Sequence, residues 1–399
     1  MNSGSKMVIV GGCGHVGIPL GLAFASRDFD VTLLDRNRAN VELINRGQLP
    51  FRENGGEEIL RKHIRRNLRA TDDPEVVAAA DVVVFVVGTP VDEHLNPKVR
   101  SVLETIEEYM PRISDRQLLI LRSTLFPGTV RVIHEHLSRH GLRPLLAFCP
   151  ERILQGKGIE EIFHLPQIVS GITQEAEDAA AKLFSNVTGK VIRTTPEEAE
   201  LAKLMTNSWR YLNFAIANQF YMMANDSGID FDHVYEAMTA DYPRAKSFAR
   251  PGLAAGPCLF KDTMQLASFY HNNFFLGHAA MLVNEGLPDH LVKNLKKKMN
   301  GSLRGKKIAV LGMAFKANND DTRESLSYKL KKLLEIEMAY VIESDPYLPE
   351  TVPLERALAE ADGLILGAPH DEYRQLRPAV PFEDCWGVWK SVAGKGEDA

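Results

Sequence analysis

Cysteine is scarce in this chain, and the few cysteines present are scattered. The 399 residues include only Cys13, Cys149, Cys258 and Cys385, and none of them has a neighbour at the spacing of a zinc site. This pattern argues against a disulfide framework and is typical of a reducing compartment. We therefore expect a cytoplasmic protein that holds no metal ion.

Long apolar runs and a strong excess of one charge are also missing. The longest apolar runs, such as Val82–Val87, are far shorter than the roughly 20 residues that cross a bilayer. Residues 1–6 lead directly into a predicted strand, so we expect no signal peptide. The net charge is −5, which gives no indication of a nucleic-acid or membrane partner. An anionic substrate would therefore need local basic groups.

The composition is that of a folded protein of more than one domain. The chain is 45% hydrophobic and 25% charged, which is usual for a soluble globular protein. Its length predicts two or three domains, because single hydrophobic cores stop growing at about 250–300 residues.

The N-terminal segment carries a dinucleotide-binding pattern. An apolar strand at Met7–Val10 leads into Gly12-Cys13-Gly14-His15-Val16-Gly17, and an apolar helix follows. In this pattern Gly12 permits a tight turn, Gly14 lets the backbone approach a pyrophosphate, and Gly17 allows close packing of the helix on the strand. The N-terminus of the helix would then face the phosphates. A glycine-rich turn without a ligand is the alternative interpretation.

The end of the second strand bears on which dinucleotide is bound. Val31–Leu34 ends in Asp35, which would bind the ribose 2′-hydroxyl and repel a 2′-phosphate. Arg36 and Arg38 follow and favour NADP instead. Asp35 thus favours NAD and the two arginines favour NADP, and we expect NAD to be the cofactor.

Further apolar runs alternate with helical stretches and predict a parallel, doubly wound sheet. The predicted strands are Val82–Val87, Leu118–Leu121 and Leu145–Ala147. Ligands bind such sheets at the carboxyl ends of the strands. The turns found there are Gly88-Thr89-Pro90, Arg122-Ser123-Thr124 and Cys149-Pro150-Glu151-Arg152. Glu151 is a candidate base or water activator, and an acid at a helix N-terminus is the alternative.

A long helical pattern runs from Glu197 to about Asn225 and has apolar residues on more than one face. Such a helix is expected to be buried between domains or subunits. Lys203 and Asn207 lie one turn apart on the same face, in an otherwise apolar neighbourhood. The pair is a candidate catalytic constellation, in which the amine acts as a base or stabilises an oxyanion. A lysine that extends to solvent beside a structural amide is the alternative.

The segment Gly256-Pro257-Cys258-Leu259-Phe260-Lys261-Asp262 combines a thiol, an amine and a carboxylate. A dehydrogenase that stops at an aldehyde or ketone needs a base but no nucleophile. One that holds its aldehyde as a thiohemiacetal can pass a second hydride and finish at a carboxylate. Cys258 therefore favours a four-electron oxidation, although a structural cysteine is the alternative. The basic residues Arg244, Lys246 and Arg250 precede it and would grip a diphosphate or form a solvated surface.

The C-terminal part repeats the pattern of the first. Ala80-Asp81 through Gly88-Thr89-Pro90 and Ala361-Asp362 through Gly367-Ala368-Pro369 share an Ala-Asp pair, an apolar strand, a glycine, a small residue and a proline. The repeat predicts a second Rossmann-type domain, with Lys307–Leu311 as its first strand. That half lacks the GxGxxG pattern and carries Lys316 and Arg323, which indicates a different phosphorylated ligand.

Together these motifs resemble the UDP-glucose/GDP-mannose 6-dehydrogenase family over nearly the whole chain, from Met7 to about Trp389. The resemblance implies an α/β fold, with two Rossmann-like doubly wound domains joined by a long central helix and an all-helical dimerisation region. It implies NAD binding by residues 1–196, a helical dimerisation domain at 197–300, and nucleotide-sugar binding by 301–399. The implied reaction uses two NAD to oxidise the C6 hydroxyl of a UDP-sugar to a uronate, a precursor of surface polysaccharide. The implied partners are the UDP-sugar and further copies of the chain, as a homodimer or higher homo-oligomer.

The resemblance also implies roles for single residues. Cys258 would trap the aldehyde and form a thioester. Lys203 and Asp262 would handle the C6 oxygen with Asn207 and a water held by Thr124, and Glu151 would activate water for hydrolysis. The implied cofactor contacts are Gly12, Gly14, His15, Val16, Gly17, Asp35, Arg36, Thr89, Pro90, Thr124 and Arg323. The implied substrate contacts are Glu151, Arg152, Lys203, Asn207, Arg244, Arg250, Gly256, Phe315 and Lys316, and Arg244 resembles an arginine that reaches the substrate of a neighbouring subunit.

The sequence departs from the family pattern at two places, and three alternatives stay open. Phe260 stands where a proline is frequent, and Gly256-Pro257 stands where a double glycine is common. The Cys149–Arg152 segment is more similar to the branch that takes UDP-N-acetylmannosamine or UDP-N-acetylglucosamine, with UDP-glucose as the next choice. A two-electron β-hydroxyacid dehydrogenase also carries a lysine and an asparagine four residues apart. A nucleotide-sugar-binding protein without activity is the third alternative, since a fold alone does not establish a function.

Overall fold

The structure is a computed structural model that describes residues 4–88, 92 and 98–389. The chain forms two compact units, divided between Thr206 and Asn207. Each unit is built on one mainly parallel sheet. The predicted α/β class with two Rossmann-like sheets is confirmed, whereas the division into three domains stays a prediction.

The first unit contains an eight-stranded sheet. Its strands are β1 (Lys6–Val10), β2 (Asp30–Leu34), β3 (Leu68–Thr71), β4 (Val82–Phe85), β5 (Leu118–Leu121), β6 (Leu145–Phe148), β7 (Gln167–Gly171) and β8 (Val191–Arg193). They lie in the order β3-β2-β1-β4-β5-β6-β7-β8, and only the β6–β7 pair is antiparallel. The first six strands therefore have the order of a dinucleotide-binding fold.

Helices pack on both faces of this sheet, which explains why its central strands are apolar throughout. These helices are α1 (Gly17–Ala25), α2 (Arg38–Asn45), α3 (Gly56–His63), α4 (Val99–Tyr109), α5 (Thr129–Arg139), α6 (Gly158–His164) and α7 (Gln174–Phe184). Successive residues of β4 point to opposite faces. Val82 and Val84 belong to one hydrophobic cluster, and Val83 and Phe85 belong to another.

One predicted strand ends earlier than expected. The apolar run continues to Val87, but β4 ends at Phe85. The carbonyl of Val87 accepts a hydrogen bond of 2.6 Å from the hydroxyl of Ser123 in place of a strand amide. The segment after β4 is thus hydrogen-bonded to the turn that follows β5.

A single long helix, α8 (Pro196–Asp226), begins in the first unit and continues into the second. It matches the predicted helix to within one residue at each end. Lys203 and Asn207 are one turn apart on it, on either side of the division between the units. Beyond α8, residues 227–298 contain no strand, and their helices are α9 (Phe231–Thr239), α10 (Leu259–Phe269) and α11 (Phe275–Lys298).

The second unit contains a four-stranded parallel sheet. Its strands are β9 (Lys307–Leu311), β10 (Tyr340–Ser344), β11 (Gly363–Leu366) and β12 (Phe382–Glu383), in the order β10-β9-β11-β12. The helices α12 (Ser327–Ile336) and α13 (Leu354–Glu360) connect them. In the part of the chain that the structure describes, no helix is long and apolar enough to span a membrane.

Candidate active site

The glycine turn after β1 requires its glycines for close packing. A Cβ atom on Gly12 would lie 2.8 Å from the Cα of Leu33, and one on Gly17 would lie 2.6 Å from the Cα of Gly12. Gly14 differs, because the nearest protein atom to a Cβ there would be a carbonyl oxygen at 3.7 Å. Packing within the protein therefore does not demand a glycine at Gly14, whereas a closely approaching ligand does.

The N-terminus of α1 is suited to a phosphate group. Its N-cap residue is Val16, which offers no side-chain acceptor to the first amides of the helix. Such amides and the positive end of the helix dipole attract an anion. The ring of His15 packs against Phe51, with 3.9 Å between the ring centroids. These residues fit a dinucleotide pyrophosphate.

The acid at the end of β2 is held in place by backbone amides. The carboxylate of Asp35 accepts hydrogen bonds of 2.9 Å from the amides of Cys13 and Asn37. The two arginines that favoured NADP have carboxylate partners: Arg36 pairs with Glu108, and Arg38 pairs with Asp72 at 2.7 Å. The balance of charge around Asp35 therefore favours a ribose hydroxyl over a phosphate.

Glu151 and Lys203 form a pair within the first unit. Glu151 follows β6 by three residues, and one of its oxygens lies 3.3 Å from the Nζ of Lys203. Its other oxygen accepts a hydrogen bond of 2.8 Å from the amide of Ile153. The Lys203 side chain is 5% exposed and that of Glu151 is 14% exposed. A lysine this buried is not the solvent-facing side chain of the alternative interpretation.

Glu200 connects α8 to the loop that contains Thr124. It is fully buried, and its two oxygens accept hydrogen bonds of 2.6 Å from the amide of Gly128 and 2.9 Å from the amide of Val130. Burial raises the pKa of Glu200 to about 7, although the two amide hydrogen bonds oppose that rise. Glu200 lies one turn before Lys203 on α8. Its hydrogen bonds therefore attach the part of the helix that carries the candidate base to the loop after β5.

In the second unit, Asn207 and Asp262 form a buried polar pair. The amide of Asn207 donates a hydrogen bond of 2.6 Å to one oxygen of Asp262, whose side chain is fully buried. The Nζ of Lys261 lies 3.3 Å from the other oxygen. The backbone amide of Asp262 donates to the carbonyl of Cys258 at 2.9 Å. This bond forms the first turn of α10.

Cys258 stands at the N-cap position of α10, and its side chain is exposed. The positive end of a helix dipole stabilises a thiolate, which is the reactive form of cysteine. The other three cysteines are buried. Burial raises the pKa of both Cys13 and Cys149 to about 12, so these thiols stay protonated at neutral pH.

The chain just before Cys258 packs against the segment after β9. Gly256 has a φ of +97°, and a Cβ there would lie 2.6 Å from the ring of Phe315. Its amide donates to the carbonyl of Glu324 at 3.2 Å. The guanidinium of Arg323 donates to both oxygens of Asp321, and the shortest of these hydrogen bonds is 2.6 Å. The hydrogen bond to Asp321 raises the pKa of Arg323, and negative charge on Cys258 adds a smaller increase.

Three predicted substrate arginines have partners of their own within the chain. Arg152 donates to the carbonyl of Pro166. Arg244 lies over the ring of Tyr242, at 4.9 Å from its centroid, and donates to the hydroxyl of that ring at 2.7 Å. The third, Arg250, pairs with Asp232 at 2.6 Å and stacks on Tyr235 at 3.9 Å. Their role in substrate binding stays a prediction.

Two predicted cofactor residues, Thr89 and Pro90, lie outside the described residues. Three further residues stand at strand ends, and the sequence motifs assign no role to them. Arg122 is a charged residue directly after the four apolar residues of β5, which is a usable signal in the sequence. Asp345 and His370 follow β10 and β11 of the second sheet.

In the second unit, the amides of the turn after β9 are bound by a side chain of the same unit. One oxygen of Asp345 accepts hydrogen bonds of 2.7 Å from the amide of Met313 and 3.0 Å from that of Ala314. The same oxygen accepts a hydrogen bond of 3.1 Å from the Nε2 of His370. The amide of Asn318 donates to the Nδ1 of His370 at 2.8 Å, which assigns the proton of this ring to Nε2.

Metal ions have no evident place in these sites. Among residues 4–88, 92 and 98–389, no group of three or more histidine, cysteine, aspartate or glutamate side chains is placed to hold one. The chemical groups present are a thiol at a helix N-terminus, a lysine paired with a glutamate, and an aspartate paired with an asparagine. Such groups suit proton transfer and covalent catalysis at a carbonyl carbon.

Three models of one protein family match the chain in succession. They are the NAD binding domain of the UDP-glucose/GDP-mannose dehydrogenase family at residues 6–188, its central domain at 197–285, and its UDP binding domain at 309–389.

Named relatives match over nearly the full length. A UDP-N-acetyl-D-mannosamine dehydrogenase of Pyrococcus horikoshii is 31% identical over 386 residues, which cover 92% of this chain and 90% of that protein. Another of the same name, from Campylobacter jejuni, is 28% identical and covers 96% of this chain and 100% of its own.

Solved structures agree with this fold. A UDP-glucose dehydrogenase from Pyrobaculum islandicum superposes with a TM-score of 0.88 at 25% identity, and covers 96% of this chain and 98% of that one. A UDP-D-ManNAc dehydrogenase from Pyrococcus horikoshii gives a TM-score of 0.87 at 28% identity, with coverage of 93% and 91%.

Proposed function

The chain belongs to the UDP-glucose/GDP-mannose dehydrogenase family and is an NAD-dependent nucleotide-sugar dehydrogenase, and from that premise we propose that it oxidises the C6 hydroxyl of a UDP-sugar to a carboxylate. The observation that carries the proposal is the exposed Cys258 at the N-terminus of α10, one turn before the buried Asp262. A dehydrogenase that stopped at the aldehyde would need no nucleophile there.

We assign the chemistry to the chain as follows. In the first oxidation a base removes the proton of the C6 hydroxyl, and we assign this role to the side chain of Lys203. When bound at the glycine turn after β1, NAD would supply the acceptor for the hydride lost from C6 in each of the two oxidations. The thiolate of Cys258 adds to the aldehyde, and loss of the second hydride leaves a thioester. Asp262 and Asn207 then hold the C6 oxygen. They stabilise the negative charge on this oxygen or donate a proton to it.

Glu151 completes the reaction by hydrolysis. It takes a proton from water, whose oxygen attacks the thioester carbonyl, and the carbon–sulfur bond breaks to release the thiolate and the carboxylate. The sum is one alcohol, one water and two NAD, converted to one carboxylate, two NADH and three protons. Thr124, in the loop after β5, is proposed to orient a water for this chemistry.

The substrate proposed first is UDP-N-acetylmannosamine or UDP-N-acetylglucosamine. The Cys149–Arg152 segment supports this choice, as do several relatives named UDP-N-acetyl-D-mannosamine dehydrogenase. UDP-glucose follows, since one solved relative is a UDP-glucose dehydrogenase. Arg152, Arg244, Arg250, Gly256, Phe315 and Lys316 remain the proposed substrate contacts, and the uronate product would supply surface polysaccharide.

The proposed cofactor contacts are the glycine turn with His15 and Val16, together with Asp35, Arg36, Thr89, Pro90, Thr124 and Arg323. The proposed domains are residues 1–196, 197–300 and 301–399, with the middle one serving dimerisation. Along α8 in the second unit, Trp209, Ile216, Phe220 and Met223 are exposed apolar side chains. Such a row is typical of a surface covered by another protein chain, which supports a homo-oligomer.

The test is the release of NADH from a panel of UDP-glucose, UDP-N-acetylglucosamine, UDP-N-acetylmannosamine, UDP-galactose and GDP-mannose. We expect two NADH for each sugar consumed with one of the UDP-sugars. One NADH per sugar would contradict the proposal and favour a two-electron hydroxyl oxidation. No NADH from any member of the panel would favour a binding protein without activity.

A further inference from the structure

The segment that carries Glu151 has no regular secondary structure. It occupies residues 149–157, between β6 and α6. Backbone amides and carbonyls away from water need hydrogen-bond partners. The amide of Cys149 still donates to the carbonyl of Leu121 in β5, but the carbonyls of Cys149 and Pro150 are bound by side chains. These side chains therefore help to decide where Glu151 lies.

Two side chains hold the backbone immediately before Glu151. The guanidinium of Arg122 donates to the carbonyl of Cys149 at 3.1 Å and to the side-chain oxygen of Gln167 at 3.0 Å. The side-chain amide of Gln167 in turn donates to the carbonyl of Pro150 at 3.1 Å. Two consecutive carbonyls are thus bound by one connected pair of side chains.

The position of Arg122 is unusual for an arginine. It is 1% exposed, and its guanidinium lies 5.2 Å from the ring centroid of Phe184. Burial lowers the pKa of Arg122, and negative charge on Glu151 opposes that change. A buried charge is costly unless it is well bound, and a leucine like those of β5 would fill the space at lower cost. Packing alone therefore does not account for this residue.

A single nitrogen of the guanidinium, Nη1, donates both to the carbonyl of Cys149 and to the side-chain oxygen of Gln167. The planar guanidinium lies over Phe184, so this nitrogen is held at a fixed position between the two acceptors. Its two acceptors are neutral, so its positive charge stays uncompensated by them and acts on Glu151, whose carboxylate also pairs with Lys203.

We propose that Arg122, together with Gln167, is a positioning residue that holds Glu151 for the hydrolysis of the Cys258 thioester. The inference rests on the proposed function and adds to it a pair of residues that bind the backbone carbonyls just before Glu151. The release of the carboxylate needs Glu151 itself, whereas the first oxidation depends on this pair only through the contact of Glu151 with Lys203 at 3.3 Å. Loosening the pair is therefore expected to slow the last step most.

The test is Arg122→Lys, which keeps the positive charge but loses the planar group that packs on Phe184 and places Nη1 between its two acceptors. The variant is mixed rapidly with NAD and the UDP-sugar that the wild type oxidises, beginning with UDP-N-acetylmannosamine. We expect a burst of two NADH per active site, followed by a steady state slower by about tenfold to a hundredfold, since small misplacements of catalytic groups cost that much. Intact-protein mass spectrometry should detect the acyl group on Cys258 during the steady state.

The matched control is Arg116→Lys. Arg116 also donates to a backbone carbonyl of the first unit, that of Ala78 at 3.1 Å, but it lies on the surface. We expect wild-type kinetics from this control. If Arg122→Lys does not fold, Gln167→Glu keeps the acceptor for Arg122 and removes the donor to Pro150, so the same burst and adduct are expected from it.

The failure of this inference is distinct from the failure of the proposed function. If the wild type releases two NADH per sugar and the folded variant turns over normally, the positioning role is wrong. The same holds if the variant is slow but shows neither the burst nor the adduct, because the loss then lies in the oxidations. If the wild type itself releases one NADH per sugar, the proposed function falls and the inference falls with it.

Discussion

The two Rossmann-type sheets of this chain use the same strand-end features for different purposes. In both, an aspartate precedes the strand that pairs with the first strand on the side away from the second, β4 in the first unit and β11 in the second. Asp81 accepts a hydrogen bond from the amide of Lys6, and Asp362 from that of Lys307, each at 2.8 Å. In both, a glycine with positive φ follows that first strand, Gly11 at +74° and Gly312 at +91°. The framework of the turn is therefore the same.

The acid at the end of the next strand is where the two units differ. Asp35 accepts one amide of its glycine turn and is partly exposed. Asp345 accepts two amides of the corresponding turn and the Nε2 of His370, and it is buried. The acid of the second unit thus binds two amides of its turn, whereas the acid of the first binds one. For that reason we expect a nucleotide at the second unit to be held mainly by side chains, of which Lys316 is the one proposed.

The difference extends to charge. Burial alone would raise the pKa of Asp345, but hydrogen bonds from His370 and from backbone amides outweigh it and hold the pKa below its usual range. Glu200 of the first unit accepts only two amides, and burial prevails and raises its pKa. The imidazole of His370 therefore distinguishes Asp345 from Glu200, because it makes the largest contribution that opposes burial at Asp345.

The largest expected effect separates the chemistry of the second unit from the cofactor binding of the first. Cys258→Ser should lower turnover by on the order of 10⁴-fold, because the serine hydroxyl is a far weaker nucleophile without an adjacent base. Binding of NADH, measured by fluorescence titration, should stay as in the wild type. Turnover within tenfold of the wild type would show that the thiol is not the nucleophile.

The next effect tests the two strand-end acids against each other for stability. Asp345→Asn should lower the free energy of unfolding by about 3 kcal/mol, because an amide leaves buried donors without an acceptor. Asp35→Asn should cost about 1 kcal/mol or less, since its carboxylate is partly exposed. Urea denaturation of both variants measures this difference. Equal losses would mean that the second turn is not held by its acid.

The same pair of variants gives the opposite order for the cofactor. Asp35→Asn should weaken the binding of NAD about tenfold, because a charged hydrogen bond to the ribose is lost. The variant should also have a smaller preference for NAD over NADP. Asp345→Asn should leave the dissociation constant of NAD unchanged. Isothermal titration of each variant with NAD and with NADP measures these dissociation constants. An unchanged NAD affinity in Asp35→Asn would show that Asp35 does not bind the ribose.

The smallest effect concerns the pH dependence of stability. The pKa of Glu200 is about 7 when folded and about 4.3 in a free glutamate, so its contribution is present below about pH 4 and is lost as the pH rises to 7. Glu200→Gln removes this titration. The fall of the unfolding free energy between pH 5 and pH 7 should be smaller in the variant, by up to about 1.4 kcal/mol per pH unit. Parallel profiles for the two proteins would show that Glu200 does not titrate in this range.

The sequence allowed the sheets and the long helix to be predicted because their signals are local. Lys307–Leu311 and Leu118–Leu121 are apolar runs bounded by turn residues, and both were predicted to the residue. The spacing of Lys203 and Asn207 follows from helix geometry alone. The contacts of these residues with Glu151 and Asp262 span 52 and 55 residues, and the sequence indicates them only through the family resemblance.

Other parts of the sites could not be predicted for the same reason. Arg122 meets the carbonyl of Cys149 through the pairing of β5 with β6, which is a property of the sheet order. Asp345 and His370 are 25 residues apart and meet because β10 and β11 flank β9. Neither residue belongs to a recognisable motif, and a histidine after a strand carries no signal of its partner.

The unequal burial of the four cysteines has a practical consequence for anyone who handles this protein. Cys13, Cys149 and Cys385 are buried and Cys258 is exposed, so a thiol reagent added to the folded chain should find one principal target. One equivalent of label would then count competent sites directly, without reference to substrate or rate. The same asymmetry makes the protein vulnerable at a single point, since electrophiles and oxidants in its surroundings would strike the residue proposed as the nucleophile before any other thiol.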